Sequence, residues 1–148
     1  MTDKELLEAA ARAAGLTRVT ISETPALGLH AWAKSLFDEC GSGVWNPLTD
    51  DGDALRLAVK LRFCTKDFAP VETPDVVQAP PDGALFGMVE IWRQDDDDPI
   101  YVEWYKAGAD RYAATRRAIV RAAAAIGSSH NAKDEAGPTA HAKPGETR

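Results

Sequence analysis

The sequence predicts an α+β protein: an antiparallel sheet of about four strands with about three helices. Three observations carry this. Asp50 to Leu61 combines helix-start signals with an apolar stripe. Ala84–Gln94 and Ile100–Lys106 alternate around an acidic turn, as the two arms of a hairpin do. Asp110 to Ile126 has helical spacing again, with a capping residue before it and Gly127 after it.

Taken in order, Thr2 to Ala14 reads as the first helix. Thr2 and Glu5 have the spacing of a capping box, Leu6, Ala9, Ala10 and Ala13 share a face, and Gly15 is placed to end it. Thr17 to Ser22 reads as a short strand, with Val19 and Ile21 on one side and Arg18 and Thr20 on the other. Thr24-Pro25 breaks it. Leu27, Leu29, Ala31 and Ala33 suggest a second strand, the glycines from Asp38 to Gly43 a turn, and Val44-Trp45 an antiparallel return. Pro47 ends that run, because it has no N–H to give a ladder. Asp50 is then the N-cap of the central helix, and Asp51 and Asp53 sit in its first turn, where the helix dipole favours negative charge. Ala54, Leu57, Ala58 and Leu61 make the stripe.

A short strand is expected within Leu61–Phe68, followed by a proline-rich connection, Ala69–Gly83. In the hairpin, Leu85, Gly87, Val89 and Ile91 share one face and Phe86, Met88, Glu90 and Trp92 the other. Ile100, Val102 and Trp104 alternate with Tyr101, Glu103 and Tyr105. Apolar residues on both faces suggest a sheet covered on both sides. In the last helix Tyr112, Ile119, Ala122, Ala123 and Ile126 form the expected buried face, with Arg117 and Arg121 outside. Residues 1–127 read as one domain. Ser128 to Arg148 has no large apolar residue and is expected to be a disordered tail.

Two segments also resemble a known family. Trp45-Asn46-Pro47-Leu48-Thr49-Asp50-Asp51-Gly52-Asp53, continuing to Leu61, is similar to the signature of the phage ABA sandwich domain family. Tyr112 to Gly127 resembles the closing helix of its proteobacterial members. The resemblance spans roughly residues 1–127. It implies a three-layer α-β-α arrangement and an accessory role in a phage or prophage, acting in the bacterial host cytoplasm. It brings no activity and no site residues.

The chain of 148 residues has 45% hydrophobic and 27% charged residues and a net charge of −6. An acidic chain without a basic run is a poor non-specific nucleic-acid binder. No apolar run approaches a membrane span, and Met1-Thr2-Asp3-Lys4-Glu5 does not read as a secretory signal. Cys40 and Cys64 lack metal or CxxC spacing and are expected as reduced thiols.

Candidate chemistry is sparse. Asp50-Asp51-Gly52-Asp53 offers carboxylates to a cation, but capping accounts for them and the EF-hand pattern is missing. The turn Asp95–Asp98 fits charge at a hairpin tip that blocks edge pairing. His30 with Cys40 or Cys64 is the one conceivable base–nucleophile pairing. Neither a catalytic residue, a metal ligand nor a cofactor is assigned. The four tryptophans, Trp32, Trp45, Trp92 and Trp104, are more informative, as are Arg116, Arg117 and Arg121. Trp92 and Trp104 with Arg116 and Arg117 are the candidate ligand-binding set: aromatic faces stack a base and arginines take its phosphate. The expected role is a non-catalytic binding module for a host or phage protein or a small anionic, nucleotide-like ligand. A small hydrolase or metal-dependent enzyme and a structural component of the virion are the alternatives.

Overall fold

The computed structural model describes residues 1–33, 43–69 and 86–134. Helix α1 (Asp3–Ala13) begins as its sequence requires. The Thr2 hydroxyl accepts from the Glu5 N–H at 3.3 Å, and the Glu5 carboxylate accepts from the Thr2 N–H at 2.6 Å. Those bonds from Thr2 hold the Glu5 carboxyl below its ordinary pKa. Gly15 closes the helix at φ +70°, with Leu16 N–H reaching back to the Ala11 carbonyl at 3.0 Å. Leu6, Leu7, Ala9 and Ala10 are buried.

Strands β1 (Thr20–Thr24), β2 (Gly28–Trp32) and β3 (Val44–Trp45) form one antiparallel sheet in that order. Ile21, Ala31 and Trp45 pair across it and face the core. The first strand starts later than its alternation suggests. Arg18 lies at φ +55°, outside the extended region, and Thr17 to Val19 form no ladder.

The central helix, α2 (Asp51–Lys60), is capped by Asp50, whose carboxylate accepts from the Asp53 N–H at 2.8 Å. Asp53 is itself buried. It accepts from the Asn46 N–H at 2.8 Å and from the Arg56 guanidinium at 2.6 Å. Asn46 in turn donates to the Leu29 carbonyl on β2 and accepts from the Leu48 N–H. The strand-to-helix turn is thus a satisfied polar network that fixes α2 to the first sheet.

Strands β4 (Phe63–Phe68), β5 (Phe86–Arg93) and β6 (Tyr101–Lys106) form a second antiparallel sheet. Among the described residues, then, the strands divide three and three, where the patterning suggested one sheet of about four. The α2 helix interrupts the chain between β3 and β4, and each group pairs with its sequence neighbours. On the inner face of the second sheet the Tyr105 ring lies over Gly87, where a Cβ would come within 2.4 Å of it. Its hydroxyl crosses to β4, donating to Asp67 at 2.9 Å and to the Phe68 carbonyl at 3.2 Å. Arg111, at the start of the last helix, holds the other Asp67 oxygen at 2.6 Å. Burial raises the pKa of the Tyr105 phenol above its ordinary value, and the Asp67 carboxylate raises it further.

Helix α3 (Arg111–Asp134) is capped by Asp110, which accepts from the Tyr112 and Ala113 N–H groups. It departs from expectation in three ways. Gly127 does not stop it. The helix passes through to Asp134, because Gly127 is where α3 crosses α1: a Cβ there would stand 2.0 Å from the Ala9 carbonyl oxygen. Tyr112, expected in the core, is 68% exposed on the first turn, while Ala118, Ile119, Val120, Ala122, Ala123 and Ala124 supply the buried face. Arg121, expected outside, is half-buried against Glu103 and Tyr101. The expected tail is helical as far as Asp134, and its remainder, 135–148, lies outside the described residues. So do Cys40 and nearly all of the proline-rich connection. The core forms where α1, α2 and α3 meet the inner faces of both sheets.

Candidate functional site

The register of the second sheet decides where the tryptophans lie. Met88 pairs with Trp104 and Phe68, and Trp92 pairs with Cys64. Paired residues project to the same side, and residues two apart on one strand share a face. Phe68, Met88, Trp92, Val102 and Trp104 therefore stand together on the face opposite Val89, Ile91 and Tyr105, which are buried against the helices. Trp104 is 47% exposed and Phe68 43%. Trp92 is better held. Its indole N–H donates to Glu90 at 2.9 Å, and the Lys66 ammonium sits 4.0 Å from the ring centroid. Lys66 and Glu90 are themselves cross-strand partners, so the cation, the carboxylate and the ring form one preset unit.

The arginines are elsewhere. Arg116 and Arg117 belong to α3, which packs on the opposite side of this sheet. Arg116 donates to Asp51 at 2.6 Å and to the Leu48 carbonyl at 3.0 Å, pinning the entry of α2. Arg117 reaches Asp3 at 3.5 Å, and Arg121 is bonded to Glu103 at 2.7 Å. The structure thus places Trp92 and Trp104 on one face, with the Lys66–Glu90–Val102 row between them, and separates both from Arg116 and Arg117 by the sheet. Those guanidiniums already hold carboxylates. Phe68, Met88 and Val102 complete the outer face. Alternation alone placed Met88 with Trp92; the β4 pairing that adds Phe68 had no local signal.

The other tryptophans divide. Trp45 is core at 3% exposure, and Trp32 lies on the first sheet, 42% exposed. His30 is buried, with Nδ1 2.9 Å from the Gly28 carbonyl oxygen, while Cys64 is exposed on the second sheet. The two do not form a base and nucleophile. Asp50 and Asp53 serve the turn described above, and Asp95 to Asp98 are exposed at the β5–β6 turn. Among the described residues no three His, Cys, Asp or Glu side chains gather as a metal site, and no helix is long and apolar enough to cross a membrane.

Comparison of the chain with protein-family models, with curated proteins and with solved structures gave no match. The geometry must therefore carry the functional reading.

Proposed function

We propose that the protein is a non-catalytic binding module of a phage or prophage, acting in the bacterial host cytoplasm, and that it takes a host or phage protein on the outer face of β4, β5 and β6. One observation carries the reading: Trp104 and Phe68, nearly half exposed, share a sheet face with Met88, Trp92 and Val102. Contiguous exposed apolar surface marks interaction sites, and tryptophan is prominent among residues that dominate binding energy. The phage setting, and with it the three-layer arrangement, rests on the resemblance of Trp45–Leu61 and Tyr112–Gly127.

A protein is preferred to a small anion because the α3 arginines are engaged with carboxylates on the far side of the sheet. A nucleotide-like ligand stacked on Trp104 is the second reading. It is favoured by Lys66 and Lys106, which the register places on the same face.

Native mass spectrometry of the protein purified from infected cells tests both. The expected result is a stoichiometric protein partner that is lost in Trp104→Arg while the melting temperature is kept. A retained nucleotide would replace the first reading with the second. A partner retained equally by Trp104→Arg would refute the face. Co-purification with particles would favour a virion component.

A further inference from the structure

The outer face of β4, β5 and β6 carries a charge pattern as well as an apolar one. The register sets its side chains out in rows across the three strands. Phe68, Met88 and Trp104 make one row, entirely apolar. Its two ends, Phe68 and Trp104, are exposed, and Met88 on the middle strand is half-buried between them.

A lysine stands beside each aromatic end. Lys66 precedes Phe68 by two residues on β4, and Lys106 follows Trp104 by two on β6. Both strands run antiparallel to β5 and so parallel to each other, which puts the lysines at diagonally opposite corners, one on each side of the row. At about 3.3 Å per residue along a strand and about 4.8 Å between strands, their Cα atoms lie about 16 Å apart. Both are exposed, and neither forms an ion pair among the described residues. The arginines of α2 and α3, by contrast, are each bonded to a carboxylate. The Trp92 ring, 4.0 Å from the Lys66 ammonium, positions that charge without neutralising it. Glu90, the cross-strand neighbour of Lys66, accepts from the Trp92 N–H. Two lysines and Glu90 leave this face one net positive charge, on a chain whose net charge is −6.

Charge complementarity narrows the partner. An apolar row calls for apolar side chains opposite it, and a lysine on each side calls for carboxylates beyond them. We infer, on the reading that a protein occupies this face, that its partner is a segment with apolar side chains between two acidic residues, one for Lys66 and one for Lys106. A reach of about 16 Å corresponds to roughly eleven residues in a helix or five in an extended strand. A single nucleic-acid strand, which aromatic and basic side chains can also hold, fits less well. Two cations offset by Glu90 neutralise little of a polyanion, and Lys66 already covers one face of Trp92.

The probe is a displayed library of random peptides long enough for both spacings, selected on the full chain and counter-selected on Trp104→Arg. The expected result is enrichment of peptides with apolar residues between two Asp or Glu at one of those spacings. Lys66→Glu combined with Lys106→Glu should weaken a selected peptide about tenfold or more with the melting temperature kept. Added salt should weaken its binding to the wild type and leave its binding to the Lys66→Gln, Lys106→Gln double variant nearly unchanged. If the selected peptides need Trp104 but show no excess of Asp and Glu, or bind the lysine variants as well as the wild type, the acidic partner is overturned and the face stands. If they bind Trp104→Arg equally, or if none is enriched, the face falls with it. A single-stranded oligothymidylate bound more tightly than any selected peptide would overturn the acidic segment in favour of a nucleic acid.

Discussion

Gly127→Ala puts a methyl group into a helix crossing that has no room for it. The new Cβ would lie 2.0 Å from the Ala9 carbonyl oxygen, 2.9 Å from its carbon and 3.2 Å from the Ala13 nitrogen. All three are backbone atoms of α1, so no side chain can swing aside. A relaxed carbon–oxygen approach is about 3.3 Å or more, so the helices must part by roughly 1.3 Å. That loosens the layer in which Leu7 and Ala10 are fully buried. Overpacking of this kind costs about 1–3 kcal/mol and occasionally more, and a backbone clash belongs at the upper end. Alanine returns about 1 kcal/mol through helix propensity. The net expectation is a loss of about 2 kcal/mol or more, read as a lower urea midpoint with unchanged slope. Ala125→Gly, at an exposed position on the same helix, reports the propensity alone and should cost about 1 kcal/mol. If Gly127→Ala is instead stabilising by a similar amount, α3 does not cross α1 at this point and the account of Gly127 fails.

The other predictions concern single contacts. Asp50→Ala should lose about 0.5–2 kcal/mol by uncapping α2, and a chelator should leave the wild-type melting curve unmoved; a chelator-induced drop would mean that the acidic turn holds a metal. Trp45→Ala should cost about 3–5 kcal/mol and Trp104→Ala within about 0.5 kcal/mol; equal losses in thermal melts would show that the outer face is covered in the folded chain. Tyr105 has a folded pKa raised above the ordinary 10.0 by burial and by Asp67, so the folded state holds this proton more tightly than the unfolded state. Its contribution is complete below pH 10 and is lost as pH rises from there through the folded value. Tyr105→Phe should therefore cost about 0.5–1.5 kcal/mol at neutral pH and flatten the alkaline fall in stability, leaving the part due to Tyr101, whose pKa is likewise raised by burial. An alkaline fall as steep as that of the wild type would count against this assignment.

Local chemistry was legible in the sequence, and distant partnership was not. Thr2 with Glu5, Asp50 and Asp110 cap helices as their spacing indicates, because a cap needs only residues within one turn. The β5–β6 alternation sorted Trp92 from Val89 and Ile91 correctly, since parity along a strand is local. Placing Trp104 beside Met88 required the register, and adding Phe68 required β4, which lies across the proline-rich connection. Gly127 shows the limit well. A glycine after an apolar helix reads equally as a stop or as a notch for another helix, and only the helix 118 residues earlier decides between them. The α3 arginines failed for the same reason. Their carboxylates, Asp3, Asp51 and Glu103, come from three other segments, so helical spacing could not say that Arg121 turns inward.

The pairing of α1 with α3 also bears on how the protein is made. Among the described helices, α1 has as its main helical neighbour α3, which follows it by about a hundred residues. A lone helix of 11 residues is marginal in water, and its leucines have no crossing partner until residue 127 has left the exit tunnel. Docking of α1 therefore waits until α3 has been synthesised. Stalled or truncated nascent chains would display an unpaired, alanine-lined α1, an exposed surface of the kind that chaperones and proteases recognise.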